Sequence, residues 1–529
     1  MKKMLCVILA MLTTLSLFAC QPTTPDTSTP PSSTGGNSPS NTSTNSPVNS
    51  NDPAPEASGI NPADLPPVHL LIAWAYTNAQ PVEEEVALVA EEMSKYTKEK
   101  FNATVEFLPL HVYSYGQQIN LMLASGEKLD LISTLGLSFA STVANEYLLE
   151  IDDLLDKYGQ GIRSELGDYI QGGIVGGRSY AVPTIHDLAG SAGPQFIIEY
   201  LEKYDIDLDK INSIDDMTEV WAKIKAGESS GFYPLWGSQL TTVDSLYEGL
   251  FDSLGNRLGG IDYSGDPNKV VNIFETDAFY NRAKLVRSWF EAGYINPDAA
   301  ISNDTFINMV NAEVRTMSAF FTSQKPGQDK NQSRTGGVPL KGKWLYQPIS
   351  TTSNMQTAQW AIPYQSADPE RAMMVLNAMY TDPYIANLMI WGIEGRHWVT
   401  TADGHAAFPA GVDTQSSGYN MAVGWVMGNQ FLCKPWENDD IDIWEQTRKY
   451  NETAKLSPAC GFSFNAADVA TEVAACTAVL DEYRMPVFSG SQELTKIAEM
   501  NAKLYAAGLQ AIINEKQAQY DAWRAANGK

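Results

Sequence analysis

The stretch 68–134 decides the fold, because it holds three apolar runs: VHLLIAW at 68–74, ATVEFL at 103–108 and LDLIST at 129–134. After the first run, Pro81 and the three glutamates that follow are typical of a helix start, where acidic side chains interact favourably with the helix dipole. The helical pattern before the third run ends at Ser125-Gly126, where glycine can adopt the left-handed cap conformation. The pattern therefore predicts a β-α-β-α-β order and an α/β fold.

Side chains suited to ligand contact stand at the carboxyl ends of these predicted strands. They are Trp74, Tyr76, Tyr113, Tyr115, Ser133 and Thr134. Ligands of open α/β sheets bind beyond the carboxyl ends of the strands, so we expect these side chains near one crevice.

Length and charge narrow the classes of function. The chain has 529 residues, with 36 Lys and Arg against 62 Asp and Glu, so its formal net charge is −26. This length suits one large body of two lobes or domains. Nucleic-acid binding is excluded as a function, because it depends on basic side chains that neutralise phosphates. A neutral or cationic ligand suits this charge better than a polyanion.

The N-terminal 66 residues are interpreted as a leader and a tether. A basic start and an apolar run precede LFAC at 17–20, which resembles the bacterial lipoprotein signal in which Cys20 is acylated after residues 1–19 are removed. An ordinary signal peptide that ends at a cysteine is the alternative. In residues 21–66, 35 of 46 are Pro, Ser, Thr, Asn or Gly, which predicts a disordered tether over 20–66 or, alternatively, a glycosylated stalk.

Several motifs resemble extracellular solute-binding protein family 1, the capture subunits of ABC importers for sugars and oligosaccharides. They are LMLASG at 121–126, LDLI at 129–132, the segment 148–158, GGRSYAVP at 176–183 and the segment 358–372. Further motifs resemble the C-terminal domain of unknown function, DUF3502, of a subgroup of these lipoproteins. These are IEGRHW at 393–398, GNQF at 428–431, GFSF at 461–464 and the final helices through Trp523.

The resemblance implies a two-lobe, type II binding-protein clamp, with discontinuous lobes, several hinge crossings and a helical C-terminal extension. We assign residues 67–183 with about 310–357 to lobe one. Lobe two then contains residues 184–309 with about 358–529, of which about 390–529 form the subgroup-specific domain.

The implied ligand determines which residues are candidates for the site. A sugar offers apolar C–H faces and a rim of hydroxyls, so its site needs aromatic platforms together with planar donors and acceptors. The candidate ligand-binding residues are Trp74, Tyr76, Tyr115, Asp187, Trp236, Trp360, Glu394, Arg396, His397 and Trp398. Within the last cluster, an alternative is that Glu394 and Arg396 form a structural ion pair.

The resemblance implies a monomeric, non-enzymatic protein, lipid-anchored on the extracellular face of the cell membrane, that delivers its sugar to the permease subunits of an ABC transporter. Alternatives are a peptide-binding or adhesin-type lipoprotein and, less favoured, a surface glycoside hydrolase. We expect no cofactor and no metal. The carboxylates at 205–209 are spaced as in a calcium loop, but Lys210 occupies the position of its glycine, which favours a turn before a helix. Three cysteines remain in the body, Cys433, Cys460 and Cys476, which allow at most one disulfide.

Overall fold

The computed structural model describes residues 61–77, 80–239, 243–414, 416–420 and 424–529. The predictions for the signal segment and for Cys20 lie outside the described residues, as does most of the predicted tether. None of the helices in the described ranges combines the length and apolar character that crossing a bilayer requires.

The described strands are mostly short. They are β1 (Val68–Tyr76), β2 (Ala103–His111), β3 (Leu131–Ser133), β4 (Ile174–Val175), β5 (Arg178–Ser179), β6 (Ala181–Pro183), β7 (Ala192–Ile197), β8 (Phe251–Asp252), β9 (Ile261–Asp262), β10 (Ala319–Ser323), β11 (Leu340–Gly342), β12 (Ile349–Ser350), β13 (Gln359–Ala361), β14 (Val399–Thr400), β15 (Ala406–Ala407) and β16 (Lys455–Leu456).

Helices account for most of the remaining regular structure. They are α1 (Glu83–Phe101), α2 (Val112–Ser125), α3 (Phe139–Ala144), α4 (Asp152–Tyr158), α5 (Gln160–Leu166), α6 (Ile198–Lys203), α7 (Met217–Gly227), α8 (Asp277–Glu291), α9 (Phe306–Asn311), α10 (Gln328–Gly336), α11 (Thr352–Met355), α12 (Pro369–Thr381), α13 (Pro383–Trp391), α14 (Ile443–Thr453), α15 (Ala470–Phe488), α16 (Thr495–Ala506) and α17 (Leu509–Ala526). Short 3₁₀ helices occur at Pro62–Asp64, Gly167–Gly173, Leu208–Lys210, Ser245–Tyr247, Ile273–Glu275, Gly424–Val426, Gln430–Leu432 and Ala467–Val469.

Lobe one is built on a five-stranded sheet of order β2-β1-β3-β13-β6. β1 runs parallel to β2 and β3, which confirms the β-α-β-α-β prediction, and α2 ends at a left-handed Gly126 as expected. β13 is antiparallel to both β3 and β6. Apolar side chains cover both faces of the sheet, with Trp74 on one face and Tyr115 on the other.

Lobe two has a three-stranded antiparallel sheet of order β10-β7-β11. Its core is one continuous cluster to which the C-terminal helices contribute, for example through Cys476, Met500 and Ile512. The residues of α15–α17 are therefore part of the core of this lobe and not a separate body.

The later segments are distributed between the lobes differently from the sequence-based assignment. Residues 319–342, expected in lobe one, supply β10 and β11, which pair with β7 of lobe two. Residues 359–433, expected in lobe two, supply β13 to the sheet of lobe one, and α12 and α13 pack into the same core. The chain has returned to lobe one by Gln359, where the sequence-based assignment had it leave for lobe two. The reason is that β13 completes the sheet of lobe one between β3 and β6.

Candidate functional site

A cavity of about 340 Å³ lies between the lobes, beside the loop that follows β3. Lobe one contributes residues 137–140 and lobe two contributes Asp252 and residues 254–256. The crossing segment contributes Thr352, Ser353 and Gln356, and the C-terminal part contributes residues 462–464 and Ala466. Its position at the carboxyl end of a parallel strand is where an open α/β sheet binds ligands.

A second cavity of about 250 Å³ shares Asp252 and Ser353 with the first, so the two adjoin, and together they are called the cleft. Its lining includes the carboxyl group of Glu248 and the phenol rings of Tyr263 and Tyr346. Desolvation by the cleft walls raises the pKa of Glu248 although this residue stays solvent-exposed, and burial raises the pKa of Tyr263 and raises the pKa of Tyr346 to about 12. Carboxyl, hydroxyl and amide groups line the cleft together with aromatic and aliphatic side chains, and this mixed chemistry suits a ligand with hydroxyls and apolar C–H faces.

The wall from lobe one is fixed by the first turn of α2. The hydroxyl of Tyr115 donates to the carbonyl oxygens of Ala73 (3.1 Å) and Ser133 (2.7 Å), which ties α2 to the ends of β1 and β3. A Cβ on Gly116 would lie 2.3 Å from the carbonyl oxygen of Gly136, so a glycine is required for this close approach. The loop that continues into the cavity wall is therefore held against α2.

The wall from lobe two is fixed by polar contacts around Asp252. Its carboxylate accepts the Leu254 amide (2.9 Å) and the Ser457 hydroxyl (2.5 Å). Burial raises the pKa of Asp252. Lys516 of α17 is fully buried beside it, and burial lowers the pKa of Lys516 to about 7 although the Asp252 charge opposes this shift. The loop after β8 is thus anchored by the C-terminal region.

Most of the predicted aromatic residues lie in the core. Trp74 is fully buried and packs edge-on against Phe107 at 4.8 Å. Tyr115 and Trp360 are also fully buried, and Trp360 donates its indole N–H to Val426 O (2.7 Å). None of these three lines the two cavities of the cleft.

Three further candidates lie elsewhere. Tyr76 is 6% exposed and packs edge-on against His111 at the end of β1. Trp236 is buried in lobe two, and its indole N–H donates to Asp304 O (2.8 Å). Asp187 is half-buried where the chain leaves lobe one. Its contacts with His186 and with Lys325 (3.0 Å) lower its pKa, although burial acts in the opposite direction.

The cluster 394–398 contacts the start of α1. Arg396 forms two hydrogen bonds with the Glu85 carboxylate, both 2.6 Å, and His397 Nε2 lies 2.9 Å from the same group. The hydrogen bonds and charge of Arg396, with those of His397, lower the pKa of Glu85 to about 2, although burial opposes this shift. Glu394 instead accepts from the Thr400 hydroxyl, and buried Trp398 donates to Gly392 O (2.8 Å). The expected Glu394–Arg396 ion pair is therefore not formed, because Arg396 pairs with Glu85 and Glu394 with Thr400.

The residues of the cleft were mostly missed by sequence reasoning. Its polar lining comes from segments with no motif, such as Asn256 in the loop after β8 and Ser353 in α11. Phe464 lies in the GFSF motif, which was quoted for the resemblance but not as part of the site. Tyr113, expected near the crevice, is 93% exposed in the first turn of α2.

Within the described residues, no group of three or more His, Cys, Asp or Glu side chains could hold a metal ion. In the calcium-like stretch, the Asp207 carboxylate accepts the Asp209 amide (3.0 Å) and caps a 3₁₀ turn before α7. All three described cysteines are buried and free.

Residues 458–525 match the family model of a domain of unknown function, DUF3502. The chain is 27% identical over 435 residues to a carbohydrate ABC transporter substrate-binding protein of Streptococcus pneumoniae serotype 4, covering 81% of this chain and 86% of that protein. A crystal structure of the N-glycan transport solute binding protein NgtS from S. pneumoniae is 25% identical, with a TM-score of 0.74, and covers 86% of this chain and 99% of that chain.

A second NgtS crystal structure, in complex with Man5GlcNAc, is 25% identical and has a TM-score of 0.63, covering 87% of this chain and 98% of that one. Both relatives are binding proteins of transport systems. The predicted resemblance and the predicted two-lobe fold class are confirmed by these similarities.

Proposed function

We propose that this protein is the extracellular solute-binding protein of an ABC importer and that it captures a neutral oligosaccharide between its two lobes. The observation that carries the proposal is the cleft, which both lobes line at the carboxyl end of β3 with carboxyl, hydroxyl and amide groups. The relatives support the sugar class, because one is named for carbohydrate and another binds Man5GlcNAc.

The protein does not need to be an enzyme for this role. Closure of the two lobes retains the ligand, and the ATPase of the transporter supplies the work. The ligand is then released to the permease subunits, and a monomer is sufficient. In this proposal the permease is the protein partner, and the acidic surface of the body disfavours polyanionic glycans.

The experiment is calorimetric titration of the purified protein with Man5GlcNAc, a linear malto-oligosaccharide, a polyanionic alginate fragment and a mixed peptide pool. We expect one neutral glycan to bind with a 1:1 stoichiometry. Mass spectrometry of the ligand released from the complex should show that its mass is unchanged. Binding of peptides alone would support the peptide-binding alternative. A shortened glycan in the recovered ligand would support a glycoside hydrolase.

Membrane attachment through Cys20 is the second part of the proposal. The LFAC motif supports it, since an acylated cysteine with several chains anchors a protein stably. Expression of the wild type and of Cys20→Ser in a Gram-positive host, followed by detergent phase partition, tests it. We expect the wild type in the detergent phase and the variant in the medium; equal partition of the two would refute the anchor.

A further inference from the structure

The C-terminal domain supplies part of the wall of the cleft. Phe462, Ser463 and Phe464 line the larger cavity, and they lie within the residues that match DUF3502. Phe462 is buried against Tyr520 and Trp523, with ring centres 5.3 and 6.0 Å apart. Phe464 is only half-buried, so its ring is the one in this wall that is partly free of core packing.

A half-buried aromatic ring in a polar cavity has a clear chemical use. The C–H face of a sugar is apolar and packs on an aromatic face, whereas its hydroxyls need the polar groups around it. Polar groups lie close to Phe464 in the same cavity. Ser463 Oγ accepts a hydrogen bond from the Gln356 side-chain amide at 2.6 Å, and both residues line the cavity.

Lys516 connects this wall with the loop from lobe two. Its Nζ is fully buried, and its N–H groups share four acceptor oxygens within hydrogen-bond distance: Ser253 O (3.1 Å), Asn256 O (3.1 Å), Asn256 Oδ1 (2.8 Å) and Gly259 O (2.7 Å). The same Nζ atom lies 5.2 Å from the centre of the Phe464 ring. Because residues 254–256 line the cavity, one buried lysine contacts two of its walls.

We propose that Phe464 is a sugar-stacking residue of the cleft and that Lys516 is a positioning residue that fixes Phe464 and the 253–259 loop relative to each other. The inference rests on the proposed function, since it names a part of that binding site. It assigns the C-terminal domain a direct role in ligand binding.

The first test is titration of Phe464 variants with Man5GlcNAc and with the malto-oligosaccharide. Phe464→Ala and Phe464→Leu should weaken binding about tenfold, because a buried aromatic anchor in an interface contributes at about this level. Phe464→Tyr keeps the ring and should stay within about threefold of the wild type. Tyr505→Ala is the matched control, since Tyr505 is a 37% exposed aromatic of the same domain outside the cleft.

The outcomes separate this inference from the proposed function. A wild-type protein that binds neither glycan refutes the proposed function and, with it, the stacking role. A wild type that binds glycan while Phe464→Ala and Phe464→Leu bind it equally well refutes only the stacking role. Phe464→Leu keeps most of the side-chain volume, so its unchanged unfolding midpoint would show that a loss of affinity is not a loss of folding.

The second test addresses Lys516 through a double-mutant cycle. Lys516→Met should accelerate amide hydrogen exchange in residues 253–259 and weaken glycan binding, whereas the exposed Lys503→Met should do neither. If Lys516 acts through Phe464, the loss in Phe464→Ala/Lys516→Met is smaller than the product of the single losses. Losses of affinity that multiply in the double variant, or unchanged affinity in Lys516→Met, would refute the positioning role. The stacking role is tested by the Phe464 variants alone, so it does not depend on whether Lys516→Met folds.

Discussion

Replacement of Glu85 by alanine should destabilise lobe one without affecting ligand binding. The variant removes the acceptor for His397 Nε2, and the His397 side chain is only 1% exposed. A buried donor left without a partner costs about 1–3 kcal/mol. Arg396 is half-exposed, so the loss of its ion pair adds little in water. We therefore expect the free energy of unfolding to fall by about 1–3 kcal/mol at neutral pH.

The pH dependence of this cluster has a defined sign. The pKa of Glu85 is lowered to about 2 from its usual 4.5, so its contribution to stability is present above pH 4.5 and is lost as the pH falls toward 2. Burial also lowers the pKa of His397, and its Nδ1 accepts the Ile393 amide (2.9 Å), an arrangement that requires the neutral ring. Both groups therefore make the wild type lose stability on acidification. The difference in free energy of unfolding between the wild type and Glu85→Ala should narrow below pH 4.5.

Urea unfolding at pH 7 and at pH 3 measures these effects. Glu84→Ala is the matched control, because Glu84 occupies the same helical turn but is exposed. Glycan titration of both variants completes the assay, and we expect wild-type affinity in each. An unaltered unfolding free energy for Glu85→Ala, or a loss of affinity at unaltered stability, would refute the structural role and return the 394–398 cluster to the ligand site.

Three other outcomes follow from the burial pattern. Tyr113→Ala should change the unfolding free energy by no more than about 0.5 kcal/mol and leave glycan affinity unchanged in calorimetry, since Tyr113 is exposed and lines neither cavity of the cleft; weaker binding would extend the sugar site to the end of β2. Trp236→Ala should cost about 3–5 kcal/mol in urea unfolding, because a buried indole is lost; a stable variant that lost only affinity would contradict its core position. A thiol reagent should modify Cys433, Cys460 and Cys476 only after denaturation, since burial raises the pKa of each, for Cys460 to about 12; fast labelling of the folded protein would contradict this.

The first half of lobe one was predictable because its signals are local. The β1-α1-β2-α2-β3 order follows from apolar runs, the glutamates at 83–85 and the cap at Gly126, all within a few residues of the elements they define. β13 was not predictable in this way. It has three residues, too few to show a period, and its partners β3 and β6 lie far back in the chain.

The cleft lies at the carboxyl end of β3, the end of the strands by which candidate residues were chosen, but none of the candidate ligand-binding residues lines its two cavities. Position after a strand does not distinguish core from crevice, because a parallel sheet is covered on both faces and large aromatics are buried on either one. Trp74 illustrates this, since it lies near the carboxyl end of β1 yet is fully buried. Phe464 lines the cavity beside Lys516 of α17, and no local pattern encodes this contact between distant parts of the chain.

The alternation of the chain between lobes sets an order on folding. As the chain emerges N-terminus first, β1, β2 and β3 can pair early, but the sheet of lobe one stays incomplete until residues 359–361 insert between β3 and β6. Lobe two is completed later still, because Lys516 can anchor the 253–259 loop only after nearly the whole chain has been synthesised. Such distant pairings slow folding and leave apolar surface open meanwhile. A chain cut short before α17 should therefore retain an unanchored cleft loop, and proteases would distinguish it from the complete protein.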